Sequence, residues 1–528
     1  WKDSDIIFDR RGDLILLLCE TILGLSYEGY KAFLSWATSI YPRELFARLL
    51  VRPLIAQVEK SLSVNAGAER RPLPALVAVL RWLYNASDRA GIALPEDFYC
   101  EAIGDLDPQW LVEDLFQLKA ATKQQRAANF FMCDNPFLFS PSTKRSLLRF
   151  ESEMNMLKTA AKRATYNEEQ RVYEFDPFFV FEIEREHLLQ QTLDKIGKAE
   201  PNDLRKKLRI VFKGEEGVDA GGVTREFFQL LSTALFDDSS GLWSNGLSAD
   251  EPYTWFNSNC TWNDEGYFLV GILVGLAVYN SVLLDVHFPQ AIYRKLLGES
   301  LAFEDLFDKE VQSGLQQLLD YEGEDVEDIF CLTFDVNWVD FGESKRRELK
   351  PGGVSIPVTS SNKEEYVMLY VKWLLVDSIY AQYEAFERGF MRVMEDSSLD
   401  LLRPEDLELL VVGSPELDFE ALEKNTEYEG GYDSESAVIR HFWTFVKNAS
   451  RETQLNLLRF ATGSSKAPIG GLGNLAFKIQ RAGLDSMQLP SSHTCFNTLL
   501  LPDYGDNYEK LEERLGRAII ECEGFGLQ

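Results

Sequence analysis

Residues 489–497 put a thiol where a thiol could react. The run Leu489-Pro490-Ser491-Ser492-His493-Thr494-Cys495-Phe496-Asn497 lies near the end of a 528-residue chain, bracketed by Pro490 and Pro502. The residues before Cys495 are small and polar and read as a loop. Phe496 to Leu501 are apolar and partly β-branched and read as a short strand. A cysteine on a loop entering a buried strand is reachable yet held in place. A nucleophilic cysteine needs both, because the thiolate is the reactive form and must meet its partner.

The rest of the composition narrows the chemistry. The seven cysteines, at 19, 100, 133, 260, 331, 495 and 522, form no CxxC pair, and there are only four histidines. Neither a zinc site nor a disulfide framework is expected, and no cofactor is implied. Scattered thiols fit a reducing compartment, cytoplasmic or nuclear. A formal net charge of −30 argues against nucleic acid, whose phosphates need a basic face. Tyr267 to Leu284 is almost wholly apolar and holds Gly271-xxx-Gly275, a pattern found in membrane helix pairs. Asn280 and Ser281 interrupt it, Asp285 and His287 follow, and no basic flank sets an orientation. It reads instead as a buried core helix whose glycines allow close packing, and no membrane partner is expected. The chain opens Trp1-Lys2-Asp3, without Met or an apolar leader, and reads as a piece of a longer protein.

The elements that must position Cys495 follow from patterning. Residues 1 to about 170 read as helices of a bundle or solenoid, with no fixed repeat. From about 173 the pattern turns mixed. Phe175 to Phe181 is β-rich and Leu208 to Phe212 reads as a strand. Val223 to Phe236 reads as an amphipathic helix with Phe227, Leu230, Leu231 and Leu235 on one side. The glycine-rich turn 214–222 lacks the Lys-Ser/Thr of a phosphate loop and carries Glu215, Glu216 and Asp219, so phosphate binding is not expected. Residues 289–360 are more polar, with Leu315 to Leu319 on a helix and Lys345-Arg346-Arg347 read as a solvated loop. A helix starting at Arg403-Pro404-Glu405 should stop at Gly413, and Gly413, Ser414, Pro415 and Glu416 read as a hinge. The last helix should run from about Glu509 to Cys522, with Leu511, Leu515, Ala518, Ile519 and Cys522 on its buried face. The tail Glu523 to Gln528 is too glycine-rich to continue it.

At this point the chain resembles a family. Ser492 to Asn497, followed by Leu501-Pro502-Asp503-Tyr504, is similar to the catalytic loop of HECT ubiquitin ligases. Gly217-Val218-Asp219-Ala220-Gly221-Gly222-Val223-Thr224-Arg225-Glu226-Phe227-Phe228 resembles that family's large-lobe signature. Asp285 to Pro289, Tyr293 to Leu296, Thr426 to Tyr432, Phe460 to Ser464 and Gly470-Gly471-Leu472 match as well, in order over roughly 173–528. Cys133-Asp134-Asn135-Pro136-Phe137-Leu138 and Phe525-Gly526 are similar to the subgroup of the Angelman-syndrome ligase. That subgroup's N-terminal zinc module is not visible, so no metal is carried over.

The resemblance implies an α+β, bilobal HECT domain behind an all-helical region, 1–172, that recruits substrates or regulates. The large lobe would span 173–412, and its subdomain 289–360 would dock a ubiquitin-conjugating enzyme. The hinge would be 413–416 and the catalytic lobe 417–528. Cys495 would take ubiquitin from the conjugating enzyme as a thioester and pass it to a lysine of a protein substrate. Exchange of one thioester for another needs no strong base, and about 3% of an unperturbed thiol is ionised at pH 7. His493 either sits beside the thiol, two residues along an extended segment, or shapes the loop by hydrogen bonding. Thr494 is expected to orient the ubiquitin tail and Asn497 to hold the loop. Phe525 matches a position that supports lysine transfer by docking on the large lobe; its alternative is an ordered apolar tail residue. Where some relatives offer the attacking lysine an acid at the C-terminal end this chain has Gln528, so its α-carboxylate or an acid elsewhere would serve. Leu315, Leu319, Ile329 and Phe330 are candidates for the conjugating-enzyme groove or, alternatively, subdomain core.

Two rival classes remain. A cysteine protease or deubiquitinase would pair Cys495 with one of the four histidines, but no protease signature surrounds it. A non-catalytic helical scaffold would rest on residues 1–170.

Overall fold

The computed structural model describes residues 2–40, 43–63, 72–162, 165–167, 172–174, 178–215, 222–244, 253–260, 264–340, 343–483 and 488–525. The chain divides into two compact units, Trp1–Glu151 and Ser152–Gln528. The first is helical. Its helix Leu73–Ala90 buries Leu73, Leu76, Val77, Val79, Leu80 and Leu83, a stripe of period near 3.6, against the helices Lys2–Leu23, Tyr27–Thr38 and Arg52–Ser63. Tyr84, Phe98 and Phe137 meet with ring centroids 5.0 to 6.3 Å apart. The expected all-helical stretch to residue 172 stops short of that point. The helix Pro141–Lys162 gives way to an antiparallel ladder of β1 (Thr165–Asn167) and β2 (Val172–Glu174).

In the second unit β3 (Phe178–Ile183) and β4 (Lys207–Phe212) pair in parallel, and β5 (Trp243–Ser244) and β6 (Trp255–Phe256) pair antiparallel. The amphipathic segment forms the helix Gly222–Phe236, with Phe227, Phe228, Leu231 and Leu235 buried. Leu230 is only half-buried, so the core face is rotated toward Phe228. Within the glycine-rich turn, residues 216–221 lie outside the described ones.

The apolar run becomes the helix Asp264–Tyr279, buried from Gly266 to Tyr279 except for the half-buried Phe268. It crosses the helix Tyr380–Met394 at very close range. A Cβ on Gly271 would overlap the carbonyl oxygen of Phe386, and one on Gly389 would overlap that of Phe268. The glycines therefore serve close contact between these two helices, and among the described residues no helix is long and apolar enough to cross a membrane. The polar section holds the helices Gln290–Leu296, Lys309–Asp320 and Val326–Phe330, then two more strands. Lys345, Arg346 and Arg347 are not in a loop. They lie on β8 (Glu343–Glu348), paired antiparallel with β7 (Asp335–Asp340), because Arg346 Nε donates to the buried Asp335 carboxylate at 2.5 Å.

The last 110 or so residues build a separate core around a four-stranded sheet ordered β11-β12-β10-β9, comprising Ser491–His493, Thr498–Leu501, Lys478–Arg481 and Glu427–Glu429. β10 runs parallel to β12 and β9, while β11 returns antiparallel along β12. The helices Ala437–Asn448, Arg451–Thr462 and Tyr508–Phe525 supply Phe442, Trp443, Leu457, Leu511 and Leu515 to that core, against Ile479, Leu499 and Leu501. Each such side chain is worth about 1.5–3 kcal/mol of burial. The last helix runs farther than expected, through Gly524 to Phe525. One glycine costs a helix only about 1 kcal/mol, and the preceding turns already bury Leu515 and Ile519.

Candidate functional site

Cys495 sits in a tight 3-10 turn, Thr494–Phe496, that joins β11 to β12. The polar run before it is a strand rather than a loop. Ser491, Ser492 and His493 pair with Leu500, Leu499 and Thr498. Polar residues are tolerated there because β11 is the sheet's edge, with one side against water. The strand after the turn begins at Thr498, and Phe496 is left 55% exposed beside the cysteine. β12 is anchored by Leu499 and Leu501, both fully buried, so the turn is mounted on rigid sheet.

Asn497 closes the turn. Its backbone is left-handed (φ 49°, ψ 41°), a conformation Asn tolerates better than most residues, and its N–H donates to the Thr494 carbonyl at 3.2 Å. The side chain is buried at 6% exposure. Its Nδ2 donates to the Ala476 carbonyl at 3.3 Å, and its Oδ1 accepts from Arg225 Nη1 at 3.0 Å. Its own carbonyl accepts from the Lys478 N–H at 3.0 Å. On the other flank, Ser492 Oγ donates to the Phe460 carbonyl at 2.6 Å. The turn thus packs between the helices Arg451–Thr462 and Gly222–Phe236.

His493 is exposed at the end of β11. The chain is not extended from 493 to 495, because the 3-10 turn begins at Thr494. The alternation of an extended strand therefore does not apply between 493 and 495. Elsewhere His441 Nε2 meets Asp506 Oδ1 at 2.8 Å, and the His287 ring lies 4.8 Å from that of Tyr253. Thr494 is half-buried. Phe525 lies on the last helix, and the side chains of Cys495, Cys522 and Phe525 fall outside the described residues, as does Gln528.

The segment 413–416 runs from the helix Pro404–Val412 to the helix Phe419–Asn425. Gly413 follows the helix Pro404–Val412 with φ 83°, and a Cβ there would come within 2.5 Å of the Ala467 carbonyl oxygen. Ser414 and Ala467 exchange backbone hydrogen bonds at 2.7 and 2.9 Å, and Arg451 donates to the Pro415 carbonyl at 2.5 Å. Glu416 is exposed and donates its N–H to Ser414 Oγ at 3.1 Å. Across the same junction Arg459 reaches Asp285 at 3.3 Å.

The four groove candidates divide. Leu315 is 7% exposed and belongs to the core of its subdomain, while Leu319 is half-buried. Ile329 is 58% exposed, and Phe330 is half-buried with its ring 5.5 Å from that of Tyr321. Ile329 and Phe330 thus present apolar surface beside exposed Glu327 and Asp328. Among the described residues no group of three or more His, Cys, Asp or Glu side chains could hold a metal.

Two residues of the site carried no assigned role in the sequence reading. Arg225 was visible only as part of a signature, and its partner lies 272 positions away. Gln229 lies one helical turn on, and a Cβ on Gly463 would come 3.8 Å from its Oε1 and 3.6 Å from Thr494 Cβ.

The HECT-domain (ubiquitin-transferase) profile matches residues 229–528, more than half of the chain. The chain belongs to the HECT-domain family. It is 39% identical over 451 residues to the probable E3 ubiquitin-protein ligase HECTD2 of Mus musculus, covering 82% of this chain and 57% of that protein. It is 35% identical over 479 residues to the probable E3 ubiquitin-protein ligase HUL4 of Eremothecium gossypii, covering 85% and 56%. With the probable E3 ubiquitin-protein ligase HERC3 of Homo sapiens it shares 35% over 404 residues, 75% of this chain and 38% of that protein. The chain thus spans little more than half the length of the HECTD2 proteins it matches. HECT membership and the mixture of helices with small sheets agree with the α+β expectation.

Proposed function

We propose that this chain is a ubiquitin-protein ligase in which Cys495 accepts ubiquitin as a thioester and passes it to substrate lysines. The observation that carries the reading is the Cys495 turn, mounted between β11 and β12 of a HECT-family lobe and clamped by Asn497. The matched relatives are named as ubiquitin ligases, which supports the same chemistry here. The partners would be ubiquitin, a ubiquitin-conjugating enzyme and protein substrates, in the cytoplasm or nucleus. Exposed Ile329 and half-buried Phe330 suit the conjugating-enzyme site better than Leu315, whose burial commits it to packing. Residues 173–412, 413–416 and 417–528 would be large lobe, hinge and catalytic lobe, with 289–360 as docking subdomain and 1–172 recruiting or regulating. Within the family, Cys133 to Leu138 supports placement near the Angelman-syndrome ligase.

The test is charging with ubiquitin, activating enzyme and a panel of conjugating enzymes. The expected result is an adduct released by thiol reductant, absent in Cys495→Ala and converted to a reductant-resistant oxyester in Cys495→Ser. A reductant-sensitive adduct on Cys495→Ala would overturn the reading. Hydrolysis of a ubiquitin C-terminal reporter that depends on Cys495 would favour the protease class instead.

A further inference from the structure

The Gly222–Phe236 helix and the Cys495 turn lie on opposite sides of the 413–416 connection in the chain, yet they meet through a polar contact. Arg225 Nη1 donates to Asn497 Oδ1 at 3.0 Å. Asn497 is 6% exposed, and its amide is used at both ends, with Nδ2 committed to Ala476 on its own side of the connection. Its left-handed backbone fixes the C-terminal end of the turn that holds Cys495. A hydrogen bond to this side chain therefore acts on the turn itself. Gln229 extends the same helix face toward Gly463 and Thr494, at the turn's other end.

On the transferase reading, on which this inference rests, Cys495 must serve two partners in succession. In the second step the lysine nitrogen attacks the thioester carbonyl. A C–N bond forms, the C–S bond breaks, and the sulfur departs with the electron pair. The proton released by the amine returns the thiolate to thiol or passes to solvent. Such a step depends on where the thioester is held, since a displacement of about 1 Å can cost a hundredfold. The Arg225–Asn497 bond exists in one arrangement of the two bodies and must be given up when the turn swings to another partner. We propose that Arg225 is a positioning residue that fastens the Cys495 turn, through Asn497, in the arrangement used for transfer to lysine.

The experiment separates the two steps on the full chain. Charging is followed on non-reducing gels; it is then quenched and free lysine is added. Arg225→Ala is expected to charge within about twofold of the parent and to discharge to lysine about tenfold more slowly, the order of effect that loss of a hydrogen bond from a charged donor gives. Arg225→Lys, which keeps a donor of similar reach, is expected to recover discharge to within about threefold. On an Asn497→Gly background, which keeps the left-handed backbone but removes the amide, Arg225→Ala is expected to add less than about twofold. Equal slowing of both steps, unchanged discharge, or independent effects in the double variant would each overturn the proposal. If Cys495→Ala still charges, it is the transferase reading that fails, whatever Arg225 does.

Discussion

Burial separates the thiols of this chain by reactivity. It pushes Cys19 up to about 11 and Cys100 up to about 12, while Cys331 is exposed. Maleimide at pH 7.5, read by peptide mapping, should modify Cys331 within minutes and leave Cys19 and Cys100 unlabelled until the fold is opened. The raised values also fix a sign. Below the ordinary thiol value of 9.0 both residues are protonated in either state, so they make no pH-dependent contribution. Above it the unfolded chain ionises and the fold cannot, so stability falls as pH rises from about 9 toward 11. Urea midpoints measured at pH 8 and 10.5 should fall less in a Cys100→Ala variant than in the parent. At this scale Cys495 was legible because its neighbours are contiguous in sequence. The Arg225–Asn497 contact was not, because folding alone brings residues 272 apart together. The expectation for His493 assumed extended chain where the backbone turns.

The close-packed helix pair gives the clearest energetic test among the elements. Gly271→Ala must push the Phe386 backbone aside, which a flexible side chain cannot absorb, and should cost about 3 kcal/mol in urea unfolding. Gly314→Ala, inside the helix Lys309–Asp320 with open space around it, should instead stabilise by about 0.5–1 kcal/mol. The β7–β8 ribbon offers an acid-side test. Arg346 holds the Asp335 carboxyl below the usual carboxylate range. Its contribution is present above the unfolded value, about 3.9, and is lost as pH falls through the lower folded value. Asp335→Asn should cost about 1–3 kcal/mol at pH 7 and progressively less under acid, by the same denaturation measurement. The Gly222 helix could be read in advance from its apolar periodicity, and the Asp264 helix from its nearly unbroken apolar run. β8 and β11 could not, since Lys345-Arg346-Arg347 and Ser491-Ser492-His493 carry no apolar alternation. Their strand form comes from the partners β7 and β12.

For the molecule as a whole, the proposed shuttle requires the junction near Gly413 to be held by few and weak contacts. The exposed Arg459–Asp285 pair should contribute under about 1 kcal/mol, and a double-variant cycle of Arg459→Ala with Asp285→Ala should show it vanishing in 0.5 M salt. The end of the helix at Val412 could be read from its proline start and the glycine that follows, whereas the Ser414–Ala467 exchange depends on chain 53 residues further on. The central claim is that one thiol, Cys495, carries ubiquitin. Its most direct measurement is the intact mass of the chain after charging, with and without reductant, for the parent, Cys495→Ala and Cys495→Ser. The account predicts one added ubiquitin that reductant removes from the parent, none on Cys495→Ala, and one that reductant leaves on Cys495→Ser. A reductant-labile ubiquitin on Cys495→Ala would contradict it.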